Sequence, residues 1–352
     1  MRKLAAVLVA AVAVGGCGGT AAPGPGPDGS VGSTGPTGSA GPAASAGSGA
    51  GSFSNPVHAG DFPDPGLLKA GGTWYAYGTN GPGGTVPLLS SPDLVHWTER
   101  GDAMPQVGSW ATTGNTWAPE VFTVGGRYVL YYVARSTGTG RQCIGVAEAA
   151  APDGPFTDRR PQPLICEADE GGSIDPDPFR DADGSLWLYW KNDGNCCGLP
   201  VHLYGRRLAA DGLSLTGSRR TLLGNTEPWQ GTLIEAPEMV RHGADHVLFY
   251  SANAFDSDRY AVGYALCRTA AGPCTDAAGP ILRSNDAAAG PGHCFVVTDE
   301  AGQTWMLYHA WAPDAVGSTD PGRQLWLDRL DWTGGRPVVR GPTPGPQPAP
   351  AP

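Results

Sequence analysis

The stretch GSIDPDPFRDADGSLWLYW, residues 172–190, decides how the rest of the chain is read. It places Asp175 in a short extended segment, then a turn at Asp181–Gly184, then a strand of large apolar residues. An Asp-Gly turn between two apolar runs is a strong hairpin signal.

The unit recurs. A Gly or small residue followed by an aromatic-rich apolar run occurs at Gly72 (GTWYAYG), Gly126 (GRYVLYY), Gly184 (GSLWLYW), Ala244 (ADHVLFY) and Gly302 (GQTWMLY). The anchors lie 54, 58, 60 and 58 positions apart. Near-equal units of this length hold about four short strands each, and five of them predict an all-β fold, a five-bladed β-propeller. A β-sandwich has no reason for five equal repeats, and a β-helix coil is far shorter. The segments from Ser91 to Trp97, from Ala151 to Phe156 and from Ala271 to Cys274 read as turns into outer strands.

In a propeller the first strand of each blade lines the central channel. Counting back nine residues from each anchor reaches Trp117, Asp175, Glu235 and His293. In the first unit the count falls on Pro63, and a turn shorter by one residue brings Asp64 into register. Asp64, Trp117, Asp175, Glu235 and His293 are therefore predicted to converge. Three carboxylates in one pocket raise one another's pKa, and such an arrangement is costly unless a reaction uses it. Glycosidic hydrolysis needs a protonated acid on one side of the bond and a carboxylate on the other. A third carboxylate can tune the acid, and aromatic rings give sugar faces a stacking surface. Glu120 and Glu238 lie three positions beyond Trp117 and Glu235, an odd offset that points to the opposite strand face. They are read as structural, with Glu238 next in line as the acid. Asp177, Asp181 and Asp183 are read as turn residues. The run Asp181 to Gly184 resembles part of a calcium loop, but its ligand spacing is incomplete.

Six motifs occur in order: Asp61-Phe-Pro-Asp-Pro65, Trp117-Ala-Pro-Glu120, Ser173-Ile-Asp-Pro176, Ile234-Glu-Ala-Pro-Glu238, Gly290-Pro-Gly-His293 and Tyr308-His-Ala-Trp311. Together, over about residues 55–335, the series resembles glycoside hydrolase family 43. The resemblance implies a five-bladed propeller that cleaves with inversion through a water nucleophile. It implies Asp64 as general base, Glu235 as general acid and Asp175 as the carboxylate that tunes and positions the acid. His293 would stand near the channel centre and help to hold a calcium ion, often through water. Arg323 would lie beside the substrate and the base. Trp117 would line the sugar subsite, and Trp311 is a further candidate for substrate contact. The expected substrates are plant cell-wall pentose polymers. The reading favours α-L-arabinofuranosidase or arabinanase action, with β-xylosidase as an alternative. Other classes are a sugar-binding propeller that has lost catalysis and a plain interaction propeller. All three carboxylates are present, which favours the enzyme.

The ends of the chain read differently. A basic start, Met1 to Lys3, precedes an apolar run from Leu4 to Val14, too short to span a bilayer and shaped like a signal peptide. Val14-Gly-Gly-Cys17 resembles a lipobox, with Val14 where Leu is usual. Residues 1–17 are therefore expected to direct export and to leave Cys17 lipidated, anchoring an extracellular protein to the cell membrane. Residues 18–52, almost all Gly, Ala, Pro, Ser and Thr, read as a disordered tether. The catalytic propeller is placed at 53–340 and a disordered Pro-rich tail at 341–352. A formal net charge of −10 argues against a nucleic-acid partner. A polysaccharide or oligosaccharide suits the chain better, and a monomer is expected.

In an exported chain, disulfides are the default for the seven cysteines after Cys17. Cys267 with Cys274 could close a short loop, and Cys143 with Cys166 could tie the ends of one repeat. Cys196, Cys197 and Cys294 remain, an odd number that leaves one free thiol. A zinc site using these cysteines with His293 is the minor alternative.

Overall fold

The computed structural model describes residues 51–351. The signal segment, Cys17 and nearly all of the tether fall outside the described residues. Within them the regular structure is strands, with three short 3-10 turns and no α-helix. Five sheets follow one another along the chain and form the five blades. Their inner strands are Gly66–Ala70, Ala111–Val124, Ser173–Arg180, Ile234–His242 and Ala289–Thr298. Four sheets have four strands and the second has three, and each runs from its inner strand outward through antiparallel neighbours.

Five apolar clusters hold the ring together, each between neighbouring blades. Tyr77 and Leu88 of blade 1 pack with Val121 and Leu130 of blade 2. Tyr189 and Leu203 of blade 3 pack with Leu248 and Tyr250 of blade 4. Leu67 and Trp74 of blade 1 meet Trp305 and Leu307 of blade 5. Burying such side chains contributes about 1.5–3 kcal/mol each. The buried tyrosines also make polar links between blades. Tyr77, Tyr131 and Tyr189 occupy the same register, and their hydroxyls donate to the carbonyls of Pro152, Gly212 and Ala270, each in the next blade, at 2.6, 2.6 and 2.8 Å.

Register explains how the channel is built. Gly66, Glu120, Asp177, Glu238 and Phe295 stand opposite Tyr77, Tyr131, Tyr189, Phe249 and Leu307. Two positions earlier, Asp64, Ala118, Asp175, Ala236 and His293 all have left-handed backbones, with φ of 53, 42, 55, 52 and 48°. The true ring therefore holds Ala118 and Ala236, one residue after the expected Trp117 and Glu235. The cause is turn length. Blades 3 and 5 turn through five residues (181–185 and 299–303), whereas blades 1, 2 and 4 turn through two. The one-residue correction applied to Asp64 holds for blades 2 and 4 as well.

Asp177 is not a turn residue. It lies within the inner strand of blade 3, is 5% exposed, and accepts the Met239 N–H at 2.8 Å. Asp181 and Asp183 do belong to the turn, which the Gly184 N–H closes on the Asp181 carbonyl. Glu120, Asp177 and Glu238 form a second buried tier, because the left-handed residue resets the alternation on which the opposite-face reading relied. Gly66 completes the tier by having no side chain: a Cβ there would stand 2.8 Å from the Glu120 carboxyl.

The tail is also ordered by contacts. Gln347–Pro348 pairs with Ser52–Phe53, Phe53 packs edge-on to Trp305, and the Ala351 N–H reaches Asp299. Ser52–Phe53 and Gln347–Pro348 thus form one strand pair against blade 5, and both the tether boundary at 52 and the disordered tail are corrected. Disulfides join Cys143 to Cys166, Cys267 to Cys274 and Cys196 to Cys197, and leave Cys294 buried as a thiol. The Cys196–Cys197 bridge occupies two of the three sulfurs the zinc alternative would need.

Burial raises the Asp177 carboxyl to about 7. Burial and the neighbouring carboxyls push Glu120 and Glu238 well above the usual carboxylate range. A carboxyl raised on folding stabilises the fold below its ordinary pKa, and that stability is lost as pH rises through the folded value. The thermal midpoint should therefore fall as pH rises from about 5 through 7 and beyond. Asp177→Asn, which keeps the acceptor for Met239, should fall less over the same range, by about 4 °C. Thermal melts across pH test this, and parallel curves for the two proteins would refute it.

Candidate active site

Asp64 opens the site. Its left-handed backbone turns its N–H onto His309 Nδ1 at 3.1 Å. One carboxylate oxygen accepts from Arg323 Nη1 at 2.7 Å and the other from the Thr79 hydroxyl at 2.6 Å. Burial alone would raise this carboxyl, but the Arg323 guanidinium, His293 and Thr79 outweigh it and hold Asp64 well below the usual range. His309 is kept neutral, first by burial and then by Arg323. Since its Nδ1 accepts from Asp64, its proton sits on Nε2. Asp64 is thus a fixed anion beside a fixed cation.

The same device recurs around the ring. The Ala118 N–H donates to Thr79 Oγ1 at 2.9 Å, the Ala236 N–H to Asp175 Oδ2 at 2.9 Å, and the His293 N–H to Ser251 Oγ at 2.8 Å. In each case the acceptor belongs to the preceding blade. Asp175 therefore grips the peptide that carries Glu235. Burial and then the Glu235 charge raise the Asp175 carboxyl to about 6, against the opposing pull of His293 and Lys191.

Glu235 is held at both oxygens. Lys191 Nζ donates to Oε2 at 2.9 Å and the Tyr260 hydroxyl to Oε1 at 2.9 Å. Lys191 is wholly buried. Burial would lower its pKa, but Glu235 and Asp175 outweigh that and raise it, so it stays an ammonium. Tyr260 lies parallel to His309 with centroids 5.7 Å apart. Its slot exists because Gly292 has no side chain: a Cβ there would come within 2.0 Å of the ring. That gives the Gly290 to His293 motif its physical meaning.

Asp64, Thr79, Asp175, Lys191, Glu235, His293 and Arg323 line one cavity of about 370 Å³, with Trp117, Ile174, Asp193, Asn195, Cys196 and Phe255 completing its wall. Asp64, Trp117, Asp175, Glu235, His293 and Arg323 are thus brought together as expected. Trp311 is not: it is 5% exposed, outside the cavity wall, and donates to the Phe255 carbonyl at 2.8 Å. It supports a loop whose Phe255 ring lies under the Arg323 guanidinium at 4.7 Å. Lys191, Thr79, Tyr260 and Phe255 escaped sequence reading. Only Lys191 left a trace there, as a cation ending the apolar run from Leu186 to Trp190.

The calcium expectation can be tested against the donors present. Among the described residues no three His, Cys, Asp or Glu side chains are grouped to ligate a metal. His293 Nδ1 faces Asp64 at 3.4 Å, and that carboxylate is already taken up by Arg323 and Thr79. The residues do not furnish a direct ligand set for calcium, and no catalytic step is drawn through one.

Comparison with known proteins places this geometry. The chain is 28% identical over 276 residues to a β-D-galactofuranosidase of Aspergillus niger, covering 72% of this chain and 75% of that one. It is 27% identical over 304 residues to an extracellular endo-α-(1→5)-L-arabinanase of Bacillus subtilis, covering 78% and 86%. Among solved structures, a thermostable family-43 glycoside hydrolase superposes with a TM-score of 0.76 at 30% identity, over 85% of this chain and 99% of that one. An endo-1,4-β-xylanase of Bacteroides thetaiotaomicron follows at 0.71 and 26%, covering 83% and 98%. The family model for glycosyl hydrolases family 43 matches residues 53–337, all but the last two residues of the five blades, and the chain belongs to that family of glycoside hydrolases.

Proposed function

We propose that this glycoside hydrolase cleaves arabinose-containing polysaccharide by single displacement, with inversion. The observation that carries the reading is the division of charge among the three carboxylates. Asp64 is pinned as an anion by Arg323, while Asp175, raised to about 6 by burial and by Glu235, keeps a proton beside the acid. Divided environments of this kind separate a base from an acid. Asp64 takes a proton from water as the water oxygen attacks the anomeric carbon. The glycosidic bond breaks, and Glu235 passes its proton to the departing oxygen. Asp175 holds the acid in place through the Ala236 N–H, and Lys191 steadies the carboxylate left after proton transfer. Trp117 and Arg323 contact the sugar. The relatives named as arabinanases support arabinan over xylan as substrate.

Glu235→Gln keeps the Tyr260 contact and removes the transferable proton. Its kcat should fall about 10²–10⁴-fold on linear arabinan with the fold intact by circular dichroism. Normal turnover would remove Glu235 as the acid. In the native enzyme kcat/KM should fall as pH rises through about 6, where Asp175 gives up its proton. NMR of the first products should show the inverted anomer, and retention would defeat the water mechanism. A panel with linear xylan alongside arabinan decides the substrate, and a preference for xylan would favour the β-xylosidase reading.

We further propose that the chain acts as a monomer outside the cell, exported by residues 1–17 and attached to the membrane through a lipid on Cys17. The support is the lipobox-like sequence alone. Cys17→Ser should move activity from the membrane fraction to the medium, and a variant still in the membrane fraction would overturn the anchor.

A further inference from the structure

The wall of the cavity contains a disulfide between adjacent residues. Cys196 and Cys197 lie in a 3-10 turn, Gly194–Cys197, that follows Lys191 by a few residues. The other two disulfides bridge sequence separations of 23 and 7. This one bridges a separation of 1 and closes no chain loop, so loop-closure entropy gives it no stabilising role. Its effect is confined to the surface it presents, and both cysteines are exposed.

The turn is rigidly mounted. Buried Asn192 donates to the carbonyls of Glu170 and Pro200 and accepts the His202 N–H, at 3.1, 2.9 and 2.7 Å. Arg141 of blade 2 donates to Cys197 Sγ at 2.7 Å. The surroundings are unusual for this protein. Among the described residues three large hydrophobic side chains are exposed: Phe255 lines this cavity, and Leu199 closes the cysteine turn by donating its N–H to the Gly194 carbonyl at 2.9 Å. Phe255 belongs to the Arg323 side, where the base is held. The disulfide belongs to the opposite side, because the strand that supplies Lys191 to Glu235 runs directly into it.

Resting on the glycosidase reading above, we propose that the Cys196–Cys197 disulfide, extended by Leu199, is the platform of the leaving-group subsite. It receives the sugar unit beyond the scissile bond. A disulfide face has no strong hydrogen-bonding demand and is polarizable, so it suits the C–H face of a pentose, while Asn195 beside it offers an amide to the hydroxyls. The subsite makes recognition depend on at least two sugar units.

The test compares arabinose, which fills one subsite, with arabinotriose and xylotriose, by calorimetry in a Glu235→Gln background. Cys196→Ser/Cys197→Ser should weaken triose binding relative to arabinose about fivefold, the worth of about 40 Å² of apolar contact. Leu199→Ser, which leaves the disulfide in place, should shift the same ratio in the same direction and covers the case in which the double variant fails to fold. An unchanged ratio in both would overturn the subsite while leaving the glycosidase reading intact. Failure of the parent to bind any of the three sugars would overturn that reading and the subsite with it. The peptide carrying both cysteines should resist alkylation until reduced, and ready alkylation without reductant would also overturn the proposal.

Discussion

One backbone constraint underlies the rest of the structure. In each blade one non-glycine residue, in the inner strand or just before it, takes a left-handed conformation, which L-residues reach only at a cost of about 1–2 kcal/mol. At four of the five positions a side chain of the preceding blade captures that residue's N–H. The strain and the capture depend on each other. The kink exposes an amide toward the axis, and the neighbouring blade must present an acceptor for it. The blades are thereby locked in rotation as well as packed together, and the side chains before and at each kink are fixed to the precision of a hydrogen bond. Asp64 and Asp175 are members of this ring, and Glu235 is attached to it by one peptide.

Below that ring the channel changes character. The upper carboxylates have cationic partners: Arg323 for Asp64 and Lys191 for Glu235. The lower ones, Glu120, Asp177 and Glu238, have one another and two backbone amides. An unpaired charge in such a place is expensive, and protonation is the cheaper state. The same residue type therefore does two jobs at two depths. One set holds cation-paired charge in the cavity wall, and the other supplies neutral hydrogen-bonding groups that fill the axis.

Much of this was legible in the sequence, and the reason is the repeat. Five apolar hairpins at near-equal spacing specify the blades, and an acid at a fixed distance before the turn specifies the channel. That distance was reliable where the turn has five residues and slipped by one where it has two, which moved Ala118 and Ala236 into the places assigned to Trp117 and Glu235. The slip did not hide the site, because Trp117 and Glu235, one residue before their kinks, line the cavity along with Asp64, Asp175 and His293. The fate of Glu120, Asp177 and Glu238 was not legible, since strand alternation fails across a left-handed residue that sequence does not announce. Lys191 and Tyr260 were missed because their role is pairwise: each matters through Glu235, tens of residues away. Trp311 had the right motif and the wrong depth. The tail misled through composition, because a proline-rich segment still pairs when a partner strand, here Ser52–Phe53, is available.

The lower tier has a consequence for traffic. The axis holds two separate cavities, a catalytic one of about 370 Å³ and another of about 390 Å³ at the level of Glu120, Asp177 and Glu238. The buried acids line the second cavity, and the two cavities share no wall residue, so the first is a cul-de-sac. A polymer cannot be drawn through the propeller like thread through a bead. It must be presented at one face, and the sugar released in the cavity must leave by the mouth through which it came.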